Sequence, residues 1–93
     1  MNRFEGEAAT SDAPRVIRRL CKHWSHKYTT QFDDTQGTIQ LNDVLVTLRA
    51  APDRVLVTLE NPAGDIPERL KGVVAEHMQR MAALDPPLDV RWS

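Results

Sequence analysis

The stretch from Tyr28 to Glu60 constrains this chain most. Apolar and polar residues alternate there in short runs separated by turn residues. Tyr28, Thr30 and Phe32 face one way, with Thr29 and Gln31 opposite, and Ile39 and Leu41 continue the inward side. Val44, Val46 and Leu48 alternate with Leu45, Thr47 and Arg49; Val55, Val57 and Leu59 alternate with Leu56, Thr58 and Glu60. A period of two is that of a strand with one buried face. The connections are short: Asp33-Asp34-Thr35-Gln36-Gly37, Asn42-Asp43 and Ala51-Pro52-Asp53. Such residues make turns, and Gly37 is expected to supply permissive backbone to the first of them. Strands joined so closely pair antiparallel, so the stretch predicts a meander.

An apolar sheet face needs a cover, and the flanking segments supply it. Ala13, Val16, Ile17, Leu20, Cys21 and Trp24 recur at spacings of three and four, one face of a helix that ends near His26. Ser11 is the expected N-cap and Pro14 falls in the first turn. After the meander, Asp65 and Glu68 make a capping-box-like start with Pro67 between them. That helix runs to about Ala83, with Ile66, Leu70, Val73, Val74, Met78 and Met81 on its apolar side and Leu84 at its limit. Gly72 inside it suggests close packing. Alternating segments at residues 4–10 and 88–92 add a strand at each end. The expected fold is α+β, order β-α-β-β-β-β-α-β, with both helices on one face of an antiparallel sheet. The 93 residues form a single domain.

A net charge of −1 argues against a dedicated nucleic-acid binder, and no aromatics interleave with the basic residues. One cysteine cannot form an internal disulfide, which fits a reducing compartment. No apolar leader is visible, and no run approaches the ~20 apolar residues of a spanning helix. The expectation is a cytoplasmic protein with no membrane partner.

Chemistry-bearing residues concentrate in Leu20-Cys21-Lys22-His23-Trp24-Ser25-His26-Lys27. Thiol and imidazole together suit zinc, copper or iron. On a continuous helix, however, Cys21 points ~160° from His23 and ~140° from His26, whereas His23 and His26 are ~60° apart. The three cannot share an ion unless the helix unwinds there, whereas the His23–His26 pair could chelate weakly or complete a site with other groups; the metal and any cofactor stay open. Arg15, Arg18, Arg19, Lys22 and Lys27 give this region a basic side, ordinarily a solvated helix face and functionally an anion-binding one. His77 falls near the centre of the second helix's apolar stripe. It is either a hydrogen-bonded core histidine or a pocket imidazole that meets His23. The candidate ligand-binding set is thus His23, His26, His77, Arg19, Lys22 and Lys27. No nucleophile elbow, phosphate loop, HExxH or CxxC occurs, so no catalytic residue is assigned. Leu45 and Leu56 point away from the expected core and suggest a homodimer through the open sheet face.

The run Leu20-Cys21-Lys22-His23-Trp24 with His26 and Lys27 resembles a small bacterial family catalogued as a domain of unknown function. Thr10, Gly37 with Ile39, the helix residues Arg69, Leu70, Val73, Val74 and His77, and the closing Trp92 agree with it. The segment Met81-Ala82-Ala83-Leu84-Asp85 departs, lacking the aromatic and basic residues expected there. The resemblance implies an element order similar to TATA-binding-protein-like domains. It also implies a link to iron acquisition, because some members stand beside or are joined to flavin-dependent siderophore-interacting reductases. The first reading is a binding or accessory module for an anionic small molecule or a siderophore-related partner protein. An enzyme using His23 or His77 and a structural homodimer are the other two.

Overall fold

The computed structural model describes residues 2–93. Its elements are β1 (Arg3–Ala9), α1 (Ala13–Trp24), β2 (Thr29–Phe32), β3 (Gln36–Leu41), β4 (Val44–Ala51), β5 (Arg54–Glu60), α2 (Arg69–Ala82) and β6 (Arg91–Trp92). This is the expected order. The six strands form one sheet, β2-β3-β4-β5-β1-β6, with every neighbour antiparallel. The meander is continuous, and β1 then enters beside β5, with Phe4 opposite Leu59 and Ala8 opposite Val55.

The register stacks apolar residues in rows across the strands. Ile39, Val46, Leu59 and Phe4 form one row, and Leu48 and Val57 lie at the centre of the next. All six are buried, together with Val16, Ile17, Leu20, Cys21 and Trp24 of α1 and Val74, Met78 and Ala82 of α2. Each such aliphatic or aromatic side chain contributes about 1.5–3 kcal/mol by leaving water.

The pair Leu48 and Val57 is flanked by a glycine on both sides, Gly37 on β3 and Gly6 on β1. Neither serves a turn, since no described glycine has a positive φ. A Cβ on Gly37 would stand 2.7 Å from Cys21 Sγ and 2.8 Å from Ile17 Cγ2. One on Gly6 would stand 2.8 Å from Trp92 Cε3. The expected turn role of Gly37 is therefore replaced by a packing role: α1 presses onto β3 there. The turn itself is held by Asp33, whose Oδ1 accepts from the Thr35 N–H, the Thr35 hydroxyl and the Gln36 N–H at 2.8, 2.8 and 2.9 Å.

The helix ends differ from expectation. Asp12, not Ser11, caps α1, its Oδ1 accepting from the Arg15 N–H at 3.3 Å. The helix stops at Trp24, and the N–H groups of Lys27 and Tyr28 both return to the Trp24 carbonyl. His26 thus lies in a turn, and the helical angles assumed for it do not apply. α2 begins at Arg69, and no described side chain caps it. The anticipated capping box is absent among the described residues, and the connection from Asn61 to Asp65 is held by Asn61. The buried Asn61 donates from Nδ2 to the Asp65 carbonyl and accepts at Oδ1 from the Ala63 N–H. Gly72 is exposed with open space around it, so the close packing expected there is also corrected. The final strand is shorter than expected, though Leu88 before it is buried.

Candidate functional site

The end of α1 divides its residues between core and surface. Leu20, Cys21 and Trp24 are buried, while Lys22, His23, His26 and Lys27 are exposed. Burial pushes the Cys21 thiol up to about 11, which keeps it a thiol rather than a metal-ligating thiolate. Among the described residues no cluster of three or more His, Cys, Asp or Glu side chains could hold a metal ion.

His77 is half-buried, at the flank of the α2 apolar stripe rather than at its centre, which is marked by Val74, Met78 and Ala82. Its ring meets α1: the centroid lies 4.9 Å from that of Trp24 and 5.8 Å from that of His23. Trp24 in turn meets Tyr28 edge-on at 6.4 Å. The Nδ1 of His77 is 2.7 Å from the Val73 carbonyl oxygen. A carbonyl can only accept, so Nδ1 carries the proton and donates. In the neutral ring the lone pair is then on Nε2.

These aromatics border a depression of about 650 Å³. His23 and Trp24 come from α1, and His26, Lys27 and Tyr28 from the turn after it. The β3–β4 hairpin supplies Leu41, Asn42, Asp43 and Val44. Asn61, Asp65 and Pro67 come from the β5–α2 connection, and Arg69, Leu70, Val73 and His77 from α2. Asn42 takes a left-handed φ of 55°, which asparagine tolerates.

The structure therefore brings four of the expected site residues, His23, His26, Lys27 and His77, to one depression. Lys22 and Arg19 do not line it. Arg19 Nη1 donates to the Met81 carbonyl at 3.5 Å, and Arg15 Nε to the Ala82 carbonyl at 2.9 Å. The two guanidiniums cap the negative end of α2, so Arg15 is not on the outer face expected of it. Arg69 is the functional addition that residue spacing missed. It stands at the first turn of α2, exposed, and like Lys27 it makes no ion pair among the described residues. Its companions on the rim are far apart in sequence, and only the hairpin and the β5–α2 connection bring them together.

A second hollow, of about 580 Å³, lies on the open sheet face and includes Thr47, Thr58, Arg49, Leu56 and Trp92. Its charges largely neutralise one another, with Arg3 2.9 Å from Glu5 and 3.1 Å from Glu60. Leu45 and Leu56 fall in different cross-strand rows, opposite Glu60 and Arg49, and so are not joined in one apolar row.

Fold and site together define a small α+β domain with an aromatic-lined depression, bordered by Lys27, Arg69, Asp43 and Asp65, between two helices and a hairpin. The chain belongs to the family described as "Uncharacterized protein conserved in bacteria (DUF2218)", which matches residues 5–93. It is similar to a solved structure described as "NMR structure of PA4090 from Pseudomonas aeruginosa", at 38% identity and a TM-score of 0.75. The similarity covers 100% of this chain and 96% of that one. No curated protein matches it. Among the described residues no helix is long and apolar enough to cross a membrane.

Proposed function

We propose that this domain is a small-molecule-binding accessory module whose helix–hairpin depression takes an organic anion with a planar or apolar body. One observation carries the reading. Imidazoles His23, His26 and His77 share a depression with Lys27 and Arg69, over Trp24, Tyr28, Leu70 and Val73, and neither cation has an ion pair among the described residues. Its volume falls within the roughly 300–1,000 Å³ of small-molecule sites. Asp43 and Asp65 also border the hollow, so the ligand's carboxylate belongs beside Lys27 and Arg69, which neutralise its charge, while the aromatic side chains take its flat face. The resemblance to domains joined to siderophore-interacting reductases supports placing that ligand in iron or siderophore handling. A reduced, buried Cys21 fits a cytoplasmic setting.

The test is an amide-shift titration of the full chain with 2,3-dihydroxybenzoate and with citrate. Shifts are expected at His23, His26, Lys27, Arg69 and His77, and the double variant Lys27→Ala/Arg69→Ala weakens binding by about tenfold or more. Absence of shifts up to about 10 mM ligand, or shifts confined to the open sheet face, would refute the reading. The His77 hydrogen bond favours a second one, an enzyme using Nε2 as a base. In that case His77→Ala abolishes turnover of the bound compound while its affinity changes by no more than about twofold.

A further inference from the structure

β2 is the outer strand of the sheet, and its free side has a defined hydrogen-bonding pattern. The Asp33 N–H donates to the Gln36 carbonyl at 2.8 Å, and the same register pairs Gln31 with Thr38 and Thr29 with Gln40. Bonded and non-bonded pairs alternate along an antiparallel ladder. The N–H and C=O groups of Thr30 and Phe32 therefore point away from β3, into the open edge.

Sheet proteins ordinarily protect such an edge with charge, proline, a bulge or a covering segment. The opposite edge is protected in this way: β6 is only two residues long and carries Arg91, with Asp89 just before it. β2 reads Thr29-Thr30-Gln31-Phe32, with no charge and no proline. Phe32 is 39% exposed, one of two large apolar side chains in that state among the described residues. The flanks of the strand are opposite in sign, Lys27 before it and Asp33-Asp34 after it. Among the described residues Lys27 and Asp34 have no ion pair of their own.

We propose that β2 is a homotypic docking edge, at which a second copy of this chain pairs antiparallel through Thr30 and Phe32. With the two-fold axis at Gln31, Thr30 of each copy faces Phe32 of the other, and every outward backbone group finds a partner. The beginning of one strand then lies beside the end of the other, so Lys27 approaches Asp33 and Asp34 of the second copy. Like charges are not brought together anywhere along the pair. That self-complementarity selects a second copy over an unrelated extended segment, which has no reason to carry the matching ends. Gln31 meets its own counterpart on the open face, and Phe32 loses water on the helix side. The contact is short, so association is weak and depends on concentration, as for other small interfaces. It shares Lys27 with the rim of the depression, but the pairing edge itself, Thr30 and Phe32, lies outside that site.

Sedimentation velocity of the full chain from about 10 μM to about 1 mM tests it. The wild-type mass is expected to rise from 10.5 kDa toward the dimer value. Thr30→Pro removes an outward N–H and leaves the ladder to β3 intact, since the preceding Thr29 is already extended. It is expected to weaken association by about tenfold or more. Lys27→Glu and Asp34→Lys each weaken it several-fold, and the two together restore it, which like-charge repulsion in the single variants requires. Wild type that stays monomeric up to about 1 mM overturns the proposal. So does a dimer indifferent to Thr30→Pro, which would be using another face. Should Thr30→Pro lose the native circular dichroism, the charge exchange decides: failure of the double variant to restore association overturns it equally.

Discussion

Gly37→Ala is the most discriminating perturbation of the fold, because it adds one methyl at the point where α1 meets the sheet. That methyl would lie 2.7 Å from Cys21 Sγ, 2.8 Å from Ile17 Cγ2 and 3.3 Å from Phe32 Cβ. The first two atoms belong to fully buried side chains with no free direction to move. α1 must lift from β3, or the strand must bend, and overpacking of this kind costs about 1–3 kcal/mol. The intrinsic gain of replacing a strand glycine, about 0.5–1 kcal/mol, offsets only part of that. Net destabilisation of about 1–2 kcal/mol corresponds to a Tm drop of roughly 4–16 °C in a chain this size.

The assay is urea unfolding of three proteins under one condition: wild type, Gly37→Ala and Gly72→Ala. Gly72 sits mid-helix, and a methyl there would meet nothing within 4 Å beyond its own helix backbone and chain neighbours. Gly72→Ala should therefore stabilise by about 0.5–1 kcal/mol. Opposite signs from the same chemical change isolate packing from propensity. A Cys21→Ala background supplies the check on mechanism. Removing Sγ opens the space the methyl needs, so Gly37→Ala should cost less there, with a coupling of about 0.5–3 kcal/mol. A neutral or stabilising Gly37→Ala in the wild-type background, or no coupling to Cys21, would refute the packing account.

The remaining predictions concern single groups. Ala83 ends α2 with a left-handed φ of 49°, a conformation that costs an alanine roughly 1–2 kcal/mol; Ala83→Gly should therefore raise stability by about 1 kcal/mol in thermal unfolding, net of glycine's entropy. Asp33 is held below the usual carboxylate range by hydrogen bonds from Thr35 and Gln36, so its charge stabilises the fold above the ordinary value of 3.8 and that contribution is lost as pH falls through the lowered folded value. Asp33→Asn keeps an acceptor without the charge, and urea titrations should show it less stable than wild type near neutrality, the gap closing in acid. Cys21 should resist a thiol reagent in the native protein at mildly alkaline pH and react on unfolding, and stability should decline as pH rises from 9.0 toward about 11, because the unfolded thiol ionises first.

The four-strand meander and both helices were legible because period two and period 3.6 each leave a distinct mark in sequence. The position of β1 was not. Its weak alternation says nothing about which strand it joins, and the answer came from long-range pairing of Phe4 with Leu59 and Ala8 with Val55. Cap assignments failed where two neighbours compete: Ser11 and Asp12 both suit an N-cap, and only the path of the chain chooses between them. Gly37 misled because a glycine after Asp-Asp-Thr-Gln reads as a turn residue, whereas the side chains that require it, Cys21 and Ile17, lie on another element. In the depression, His23 and His77 could be paired on paper since each sits on a helix flank. Arg69 could not, as its place on the rim depends on the path of the β5–α2 connection and on α2 starting at Arg69.

The segment Leu20–Lys27 holds both the anchor of α1 and the near wall of the depression, and its two duties can be separated by substitution. Leu20 is fully buried and does not line the depression. Leu20→Ala should cost about 2–5 kcal/mol, the loss of transfer energy plus the cavity left behind. His23 is exposed, makes ring contacts with Trp24 and His77, and lines the depression. His23→Ala should therefore change stability by no more than about 0.5 kcal/mol while weakening binding of 2,3-dihydroxybenzoate. If the motif were an anchor alone, His23→Ala would leave the titration unaltered, and the three imidazoles would be reduced to surface residues brought together by the packing of Trp24 against α2. If it were a site alone, Leu20→Ala would be tolerated. The geometry requires neither extreme, because a helix that turns Leu20, Cys21 and Trp24 inward leaves His23 at the flank that faces α2, and the turn after Trp24 carries His26 and Lys27 to the same rim.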